Sequence, residues 1–294
     1  MHFAKLRLVS ATWVLLFFTA FLACGQDKQA KQSLWKVQGK SNAVYLLGSI
    51  HFLKSDFYPL PRPIEDAYKR SGVVMFEADF AEMAASQGKF LKAGMLPPNE
   101  TLSQHVSAET YALVQSYLRE NVGSATMLDQ FRPWMASMTL LTIELMKLGY
   151  DPQQGVDRYF FNKAQGDKKR LDSFESVDFQ LGLFQGLTKA EQDQMLSESV
   201  REAKDIKGEI SEMVNAWKTG DAKALEKLIV QEMRDYPDVH KKLLLDRNGR
   251  WMAKLVEQLA GKEDVFVVVG AAHLVGAGGV VDLLQKKGYR VVQL

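Results

Sequence analysis

The chain of 294 residues has one cysteine, Cys24, which excludes an internal disulfide. It has no His-Glu-x-x-His and no Gly-x-Ser-x-Gly, so two common hydrolase signatures are missing. With Cys24 set aside no thiol nucleophile is left. Charge of one sign is also missing. The net charge is +2, and losing Lys5 and Arg7 with a leader takes it to zero. No basic stripe with interleaved aromatics is present, and Lys168-Lys169-Arg170 reads as a solvated turn, which excludes a nucleic-acid partner. No fixed-period repeat or low-complexity tract occurs. The sequence does contain enough apolar residue, 47% against 24% charged, for a sizeable core in one large domain or two intimate ones.

The N-terminus reads as an export signal over residues 1–23. Lys5 and Arg7 precede an apolar stretch from Leu8 to Ala23, and polar residues begin at Gly25. That stretch is 16 residues long, short of the roughly 20 that a spanning helix needs. Phe21-Leu22-Ala23-Cys24 resembles a bacterial lipobox, although Phe21 stands where the pattern prefers Leu. The resemblance implies a lipidated Cys24 as mature N-terminus and membrane attachment through it. With Gly25 next, and not Asp, the outer membrane is the expected location. Cleavage near Gly25 and an uncleaved anchor are the other readings. Residues 24–33 read as a flexible tether.

Strands are expected at residues 34–37 and 44–47 around a turn, at 73–76, and at 265–269; 170–174 also reads as a strand leading into Glu175. A final strand falls at 289–294. Between about residues 103 and 260 the pattern is mostly helical, with an almost wholly apolar segment at 134–148. The chain ends are thus α/β and the middle is α.

Two elements are alike. Residues 44–51 end Gly48-Ser49-Ile50-His51, and residues 265–273 end Gly270-Ala271-Ala272-His273. In each a buried strand ends in Gly and then delivers a histidine, the glycine allowing a tight exit and close approach of a ligand. Of the five histidines, His2 lies in the leader, while His105 and His240 read as surface residues. His51 and His273 therefore form the candidate pair. The Gly-rich run at 276–279 lacks the order and the lysine of a phosphate loop.

Glu77 ends the strand at 73–76, where a carboxylate needs a partner. Either it pairs with a basic side chain at the sheet edge, or it joins the two imidazoles in a divalent metal site. Glu175 could orient a ligand histidine, act as general base, or cap the next helix. Asp157 in Gly155-Val156-Asp157 has an ordinary helix-dipole explanation beside a functional one. Arg247 and Asn248 would offer a cation and an amide to a developing oxyanion, or merely start a surface helix.

Taken in order, these segments resemble the TraB/GumN (TraB/PrgY/GumN) family, which is related to the TIKI metalloproteases. Leu46 to His51, Glu77, Arg132-Pro133-Trp134-Met135, Gly155-Val156-Asp157, Leu171 to Glu175, Trp217 to Asp221, Arg247-Asn248 and Val269 to Gly276 carry the likeness. The resemblance implies a domain over residues 34–294 with a helical insert at about 103–260. It implies an α/β fold leaning to α+β, with a small mostly parallel sheet built from both chain ends, as in erythromycin-esterase-like and haem-binding ChaN-like proteins. It also implies that His51, His273 and Glu77 hold a divalent transition metal, with zinc, manganese and cobalt as candidates. Glu175 would be base or would support a ligand, and Arg247 with Asn248 would stabilise the oxyanion. The expected function is a cell-envelope metal-dependent hydrolase acting on a peptide or protein. A non-catalytic haem or metal carrier and an esterase are the alternatives.

Overall fold

The computed structural model describes residues 31–294 apart from 232 and 235. The expected leader, Cys24 and most of the tether lie outside the described residues. Packing starts before the first strand. Ser33 is buried and donates its hydroxyl to the Trp217 carbonyl oxygen, while the Gln32 amide donates to the Leu294 carbonyl oxygen.

Six strands form one mixed sheet. They are β1 (Leu34–Gln38), β2 (Ala43–Ser49), β3 (Val73–Ala78), β4 (Arg170–Glu175), β5 (Val265–Gly270) and β6 (Val291–Gln293), in the order β4-β3-β5-β2-β1-β6. β2, β5, β3 and β4 are parallel neighbours, and β1 pairs antiparallel with β2 and β6. Strands flanked on both sides and covered on both faces need continuous apolar runs. β2 and β5 have them: β2 is buried throughout and β5 until Gly270. β6 lies at the edge, where Val292 is exposed.

α1 (Arg62–Arg70), opened by Pro63 in its first turn, crosses from β2 to β3. α2 (Phe80–Ala85) follows β3, its first turn capped by the Asp79 side chain, and α3 (Gln87–Gly94) comes next. The middle of the chain supplies α4 (Ala108–Asn121), α5 (Pro133–Lys147), α6 (Val156–Gly166), α7 (Val177–Gln185) and α8 (Lys189–Lys218). Then come α9 (Ala222–Leu225), α10 (Pro237–His240), α11 (Asp246–Leu259), α12 (Ala271–Leu274) and α13 (Val280–Lys286). No helix among the described residues is long and apolar enough to cross a membrane.

β4, read from the sequence as a strand at 170–174, gives the sheet its outer parallel strand from within the helical middle. Residues 206–217 form the end of the 30-residue α8. Gly208 inside it costs about 1 kcal/mol of helix propensity, but Ile210, Val214 and Trp217 are buried on one face and outweigh that cost.

The main core lies on the sheet. A second cluster joins α4, α5 and α8 through Leu118, Leu140, Leu196 and Val200. Truncating a fully buried residue such as Leu47 to alanine should cost about 2–5 kcal/mol. At the end of α8 the Trp217 indole donates to the Gly48 carbonyl oxygen at 2.7 Å. That bond ties the helical region to the strand end from which His51 projects.

Candidate functional site

β2 and β5 are adjacent and parallel, with Ser49 opposite Gly270. The two Gly-x-x-His elements, more than 200 residues apart in sequence, therefore leave the same sheet edge side by side. β3 is the other neighbour of β5, and it brings Glu77 to that edge. A Cβ placed on Gly270 would stand 3.1 Å from Glu77 Oε1, 3.7 Å from His273 Cδ2 and 3.8 Å from His51 Nε2. The three side chains expected to act together thus converge on one point, and Gly270 keeps that point open.

Each imidazole is held by its far nitrogen. His51 Nδ1 lies 2.8 Å from Asp157 Oδ2. A carboxylate only accepts, so Nδ1 carries the hydrogen and Nε2 faces the convergence point. His273 Nδ1 lies 2.6 Å from Asn248 Oδ1, and Asn248 Nδ2 donates to the Gly278 carbonyl oxygen at 2.9 Å. The second bond fixes the amide, so His273 also carries its hydrogen on Nδ1. Its Nε2 lies 3.0 Å from Arg247 Nη1, and a guanidinium can only donate. His273 Nε2 is therefore a lone pair.

The electrostatics separate the two rings. Burial pushes the His273 pKa down to about 4, with the Glu77 charge only partly opposing, so this ring is neutral at pH 7. Asp157 pulls His51 the other way, to about 9. The side chain of His51 is 59% exposed and that of His273 6%, so the first stands at the mouth and the second at the back. Burial works against ionisation of Glu77. Charge on His273, Arg247 and His51 and the Gly270 N–H, 2.5 Å from Oε1, prevail and draw its pKa down to about 2. At that pH His273 is protonated as well.

Arg247 is the hub. Nε and Nη2 grip the Glu175 carboxylate at 2.8–3.2 Å, Nη2 also reaches Glu77 Oε2 at 2.7 Å, and Nη1 bonds the Leu243 carbonyl oxygen and His273. Burial disfavours its charge, but Glu175 and Glu77 more than compensate and hold its pKa above the usual value. All five N–H donors are used. A π-helical turn at Lys241–Leu245 runs into α11 and brings the Leu243 carbonyl oxygen into this set. Such turns often sit at functional sites.

Several expected roles change with this geometry. Arg247 and Asn248 do not start a surface helix; both are buried, Asn248 completely. Every Arg247 donor is engaged, and Asn248 gives one of its two amide hydrogens to Gly278. The Asn248 amide is occupied by His273 and Gly278, and the guanidinium by its carboxylates, His273 and Leu243. Glu175 neither caps α7, which Ser176 does, nor has a free oxygen for base chemistry. Its oxygens take Arg247, the Trp251 indole at 2.9 Å and the Gln180 amide. Its place is behind Arg247. His240, expected at the surface, is buried, and burial lowers its pKa.

Asp157 is the residue whose role was missed. Its helix-dipole explanation hides the bond to His51. The signal was Gly155, two residues earlier: a side chain there would overlap the His51 carbonyl oxygen, so glycine lets the start of α6 lie against the β2 exit. Ser49 belongs to the same site. Its hydroxyl and Asp157 Oδ1 are buried without a protein partner, and both residues line the same cavity.

That cavity has a volume of about 510 Å³. Glu77, Asp157 and Arg247 form its polar floor, His51 stands at its mouth, and its walls are mainly apolar. A concave apolar pocket with a few convergent polar groups is the usual form of a small-molecule or active site. Among the described residues no three His, Cys, Asp or Glu side chains are already drawn together as a ligand set. The Arg247 guanidinium bridges Glu77 and His273 instead. The donor chemistry nevertheless fits a cation. Two imidazoles present Nε2 with Nδ1 fixed by a carboxylate or an amide, the arrangement that orients metal-binding histidines. Glu77, Glu175 and Asp157 are set against the Arg247 guanidinium and the His51 imidazolium, which leaves one negative charge at pH 7 and two once His51 gives up its proton.

An α/β chain that gathers these residues at the edge of a mixed sheet has relatives. It belongs to the TraB/PrgY/gumN family, whose model matches residues 33–293. It is 26% identical over 245 residues to the uncharacterized protein YbaP of Escherichia coli, covering 82% of this chain and 87% of that one. An uncharacterized protein of Treponema pallidum is 21% identical over 277 residues, covering 87% and 81%. The metalloprotease TIKI1 of Xenopus tropicalis is 20% identical over 324 residues, covering 91% of this chain and 62% of its own. No solved structure matches the chain significantly.

Proposed function

We propose that this protein is a metal-dependent hydrolase of the cell envelope, acting on peptide or related amide bonds. The observation that carries the reading is the convergence on Gly270 of Glu77 and two imidazoles anchored through Nδ1. His51, His273 and Glu77 would hold the cation, with zinc, manganese or cobalt as candidates. When bound, such an ion polarises a carbonyl and acidifies a water. Asp157 and Asn248 keep the two rings in one tautomer and orientation. Glu175 and Trp251 hold Arg247 from behind. The two N–H groups that Arg247 now gives to Glu77 and His273 would be released when those residues turn to a cation, and they belong to a residue that lines the cavity. Released there, they could stabilise negative charge developing on a carbonyl oxygen. The unpaired Ser49 hydroxyl on the same surface can bind substrate or water. The peptide-bond reading draws on the name of the Xenopus relative, and the envelope on residues 1–24.

The test is metal analysis of the purified mature protein beside His51→Ala and His273→Ala. A stoichiometric metal in the native protein, lost in both folded variants, is expected. Failure to retain zinc, manganese or cobalt after reconstitution would reject the reading. Bound metal without turnover of peptides or esters would turn it into a carrier.

A further inference from the structure

The walls of the cavity carry information about the substrate that the polar floor does not. Phe80, Met83, Phe90, Leu183, Phe184 and Leu243 come from α2, α3, α7 and the π turn before α11, and together they make one apolar surface. Among them stands one charge without a counter-charge. Arg158, on α6, lines the cavity with its guanidinium carbon 5.4 Å from the Phe80 ring centroid. Among the described residues no carboxylate pairs with it. Its sequence neighbour Asp157 turns to His51, and the other lining guanidinium, Arg247, is neutralised by Glu77 and Glu175. A cation stacked on an aromatic ring at the edge of an apolar pocket keeps its outward N–H donors for an anion, and the planar fork suits a carboxylate.

We propose that the cavity takes a molecule with an apolar chain along these walls and a carboxylate held by Arg158, the chemical class of an N-acyl amino acid. The bond cleaved rests on the hydrolase reading above; the recognition does not. Hydrolysis would break the acyl C–N bond, with water giving its hydroxyl to the acyl carbon and a proton to the departing amine. Such a substrate has its amide between the two features that the cavity recognises. A volume of about 510 Å³ falls within the range of pockets that enclose ligands of this size.

The experiment is calorimetric binding of N-dodecanoylglycine and of uncharged N-dodecanoylglycinamide, both below their micellar concentrations. The acid should bind at least about tenfold tighter, the effect of one charge-assisted contact. Arg158→Gln should remove that preference, Arg158→Lys should keep part of it, and Met83→Glu should weaken both probes. Equal binding of the two probes to the native protein would overturn the proposal. So would a preference that survives Arg158→Gln, indifference to Met83→Glu, or no binding at all. Amine release is measured in parallel. Selective binding without cleavage supports this inference and counts against the hydrolase. Cleavage of both probes alike overturns this inference and leaves the hydrolase standing.

Discussion

Replacing Arg247 with methionine tests the centre of the site most directly. Met keeps much of the side-chain volume but removes five N–H donors and the permanent positive charge that touches both glutamates. The side chains of Arg247, Glu77 and Glu175 are only 10%, 15% and 5% exposed, so solvent cannot replace the lost partner. Breaking a buried pair by removing one member leaves an uncompensated charge and costs about 3–5 kcal/mol. For a domain of this size that lowers the melting temperature by about 10 °C. Thermal unfolding followed by circular dichroism at pH 7 reads the loss. The gap should narrow at pH 5, because glutamates buried without their cation take up protons and shed the penalty. Zinc should restore more stability to the variant than to the native protein, since the guanidinium no longer competes for His273 Nε2 and Glu77 Oε2. A loss below about 1 kcal/mol at pH 7, the range of exposed ion pairs, would refute the buried hub.

Further outcomes follow from the same geometry. Gly270→Ala puts a methyl group 3.1 Å from Glu77 Oε1 at a φ of −51°, which alanine tolerates, so metal affinity measured by chelator competition should fall while the melting temperature stays nearly constant. An unchanged affinity would show that the open point is not a ligand site. Asp157→Asn and Asn248→Ala should each weaken metal binding about 10–100-fold, the usual effect of losing the group that orients a ligand histidine; normal affinity in both would reject their positioning role. The two histidines act oppositely on stability. The folded His273 pKa lies below its unfolded value of about 6.5, so the unfolded chain binds more protons and stability falls as pH drops from about 6.5 to about 4. The folded His51 pKa is raised, so its contribution is complete below about 6.5 and is lost as pH rises towards about 9. Chemical denaturation across this range should flatten on the acid side in His273→Gln and on the alkaline side in His51→Gln, and a profile that neither variant changes would contradict the assigned environments. Cys24→Ser should abolish incorporation of labelled palmitate in a bacterial host; labelling that persists would reject the lipobox.

Residues that end strands were legible in the sequence. Gly48 to His51, Gly270 to His273 and Glu77 each follow an apolar run, and a buried run that stops at glycine or a carboxylate marks a sheet edge. Adjacency of the edges was not written in those segments. It needs the β3-β5-β2 order, and β4 joins that sheet from the middle of the helical region. The partners of Asp157, Glu175 and Asn248 are not legible in the sequence for another reason. Each sits at a helix start or strand end, where a polar residue has a local explanation, and only tertiary contacts show that the local explanation is not the one used.

The same contrast bears on how the site works. Arg247 has the positive charge and the hydrogen-bond donors that a cation ligand set would have to displace, and it is held by Glu175, Trp251 and a π turn that do not themselves present free groups to substrate. A mobile lysine in its place could leave at little cost; a buried, bidentate guanidinium cannot. On the proposed reading, a cation held by His51, His273 and Glu77 would have to take His273 and Glu77 from Arg247. The π turn at Lys241–Leu245 lies immediately before α11, and its Leu243 carbonyl oxygen accepts from the guanidinium. Leu243 also forms part of the apolar wall of the cavity. A ligand pressing on that wall and a cation competing for His273 would then act on the same turn, so substrate and metal should each raise the affinity for the other.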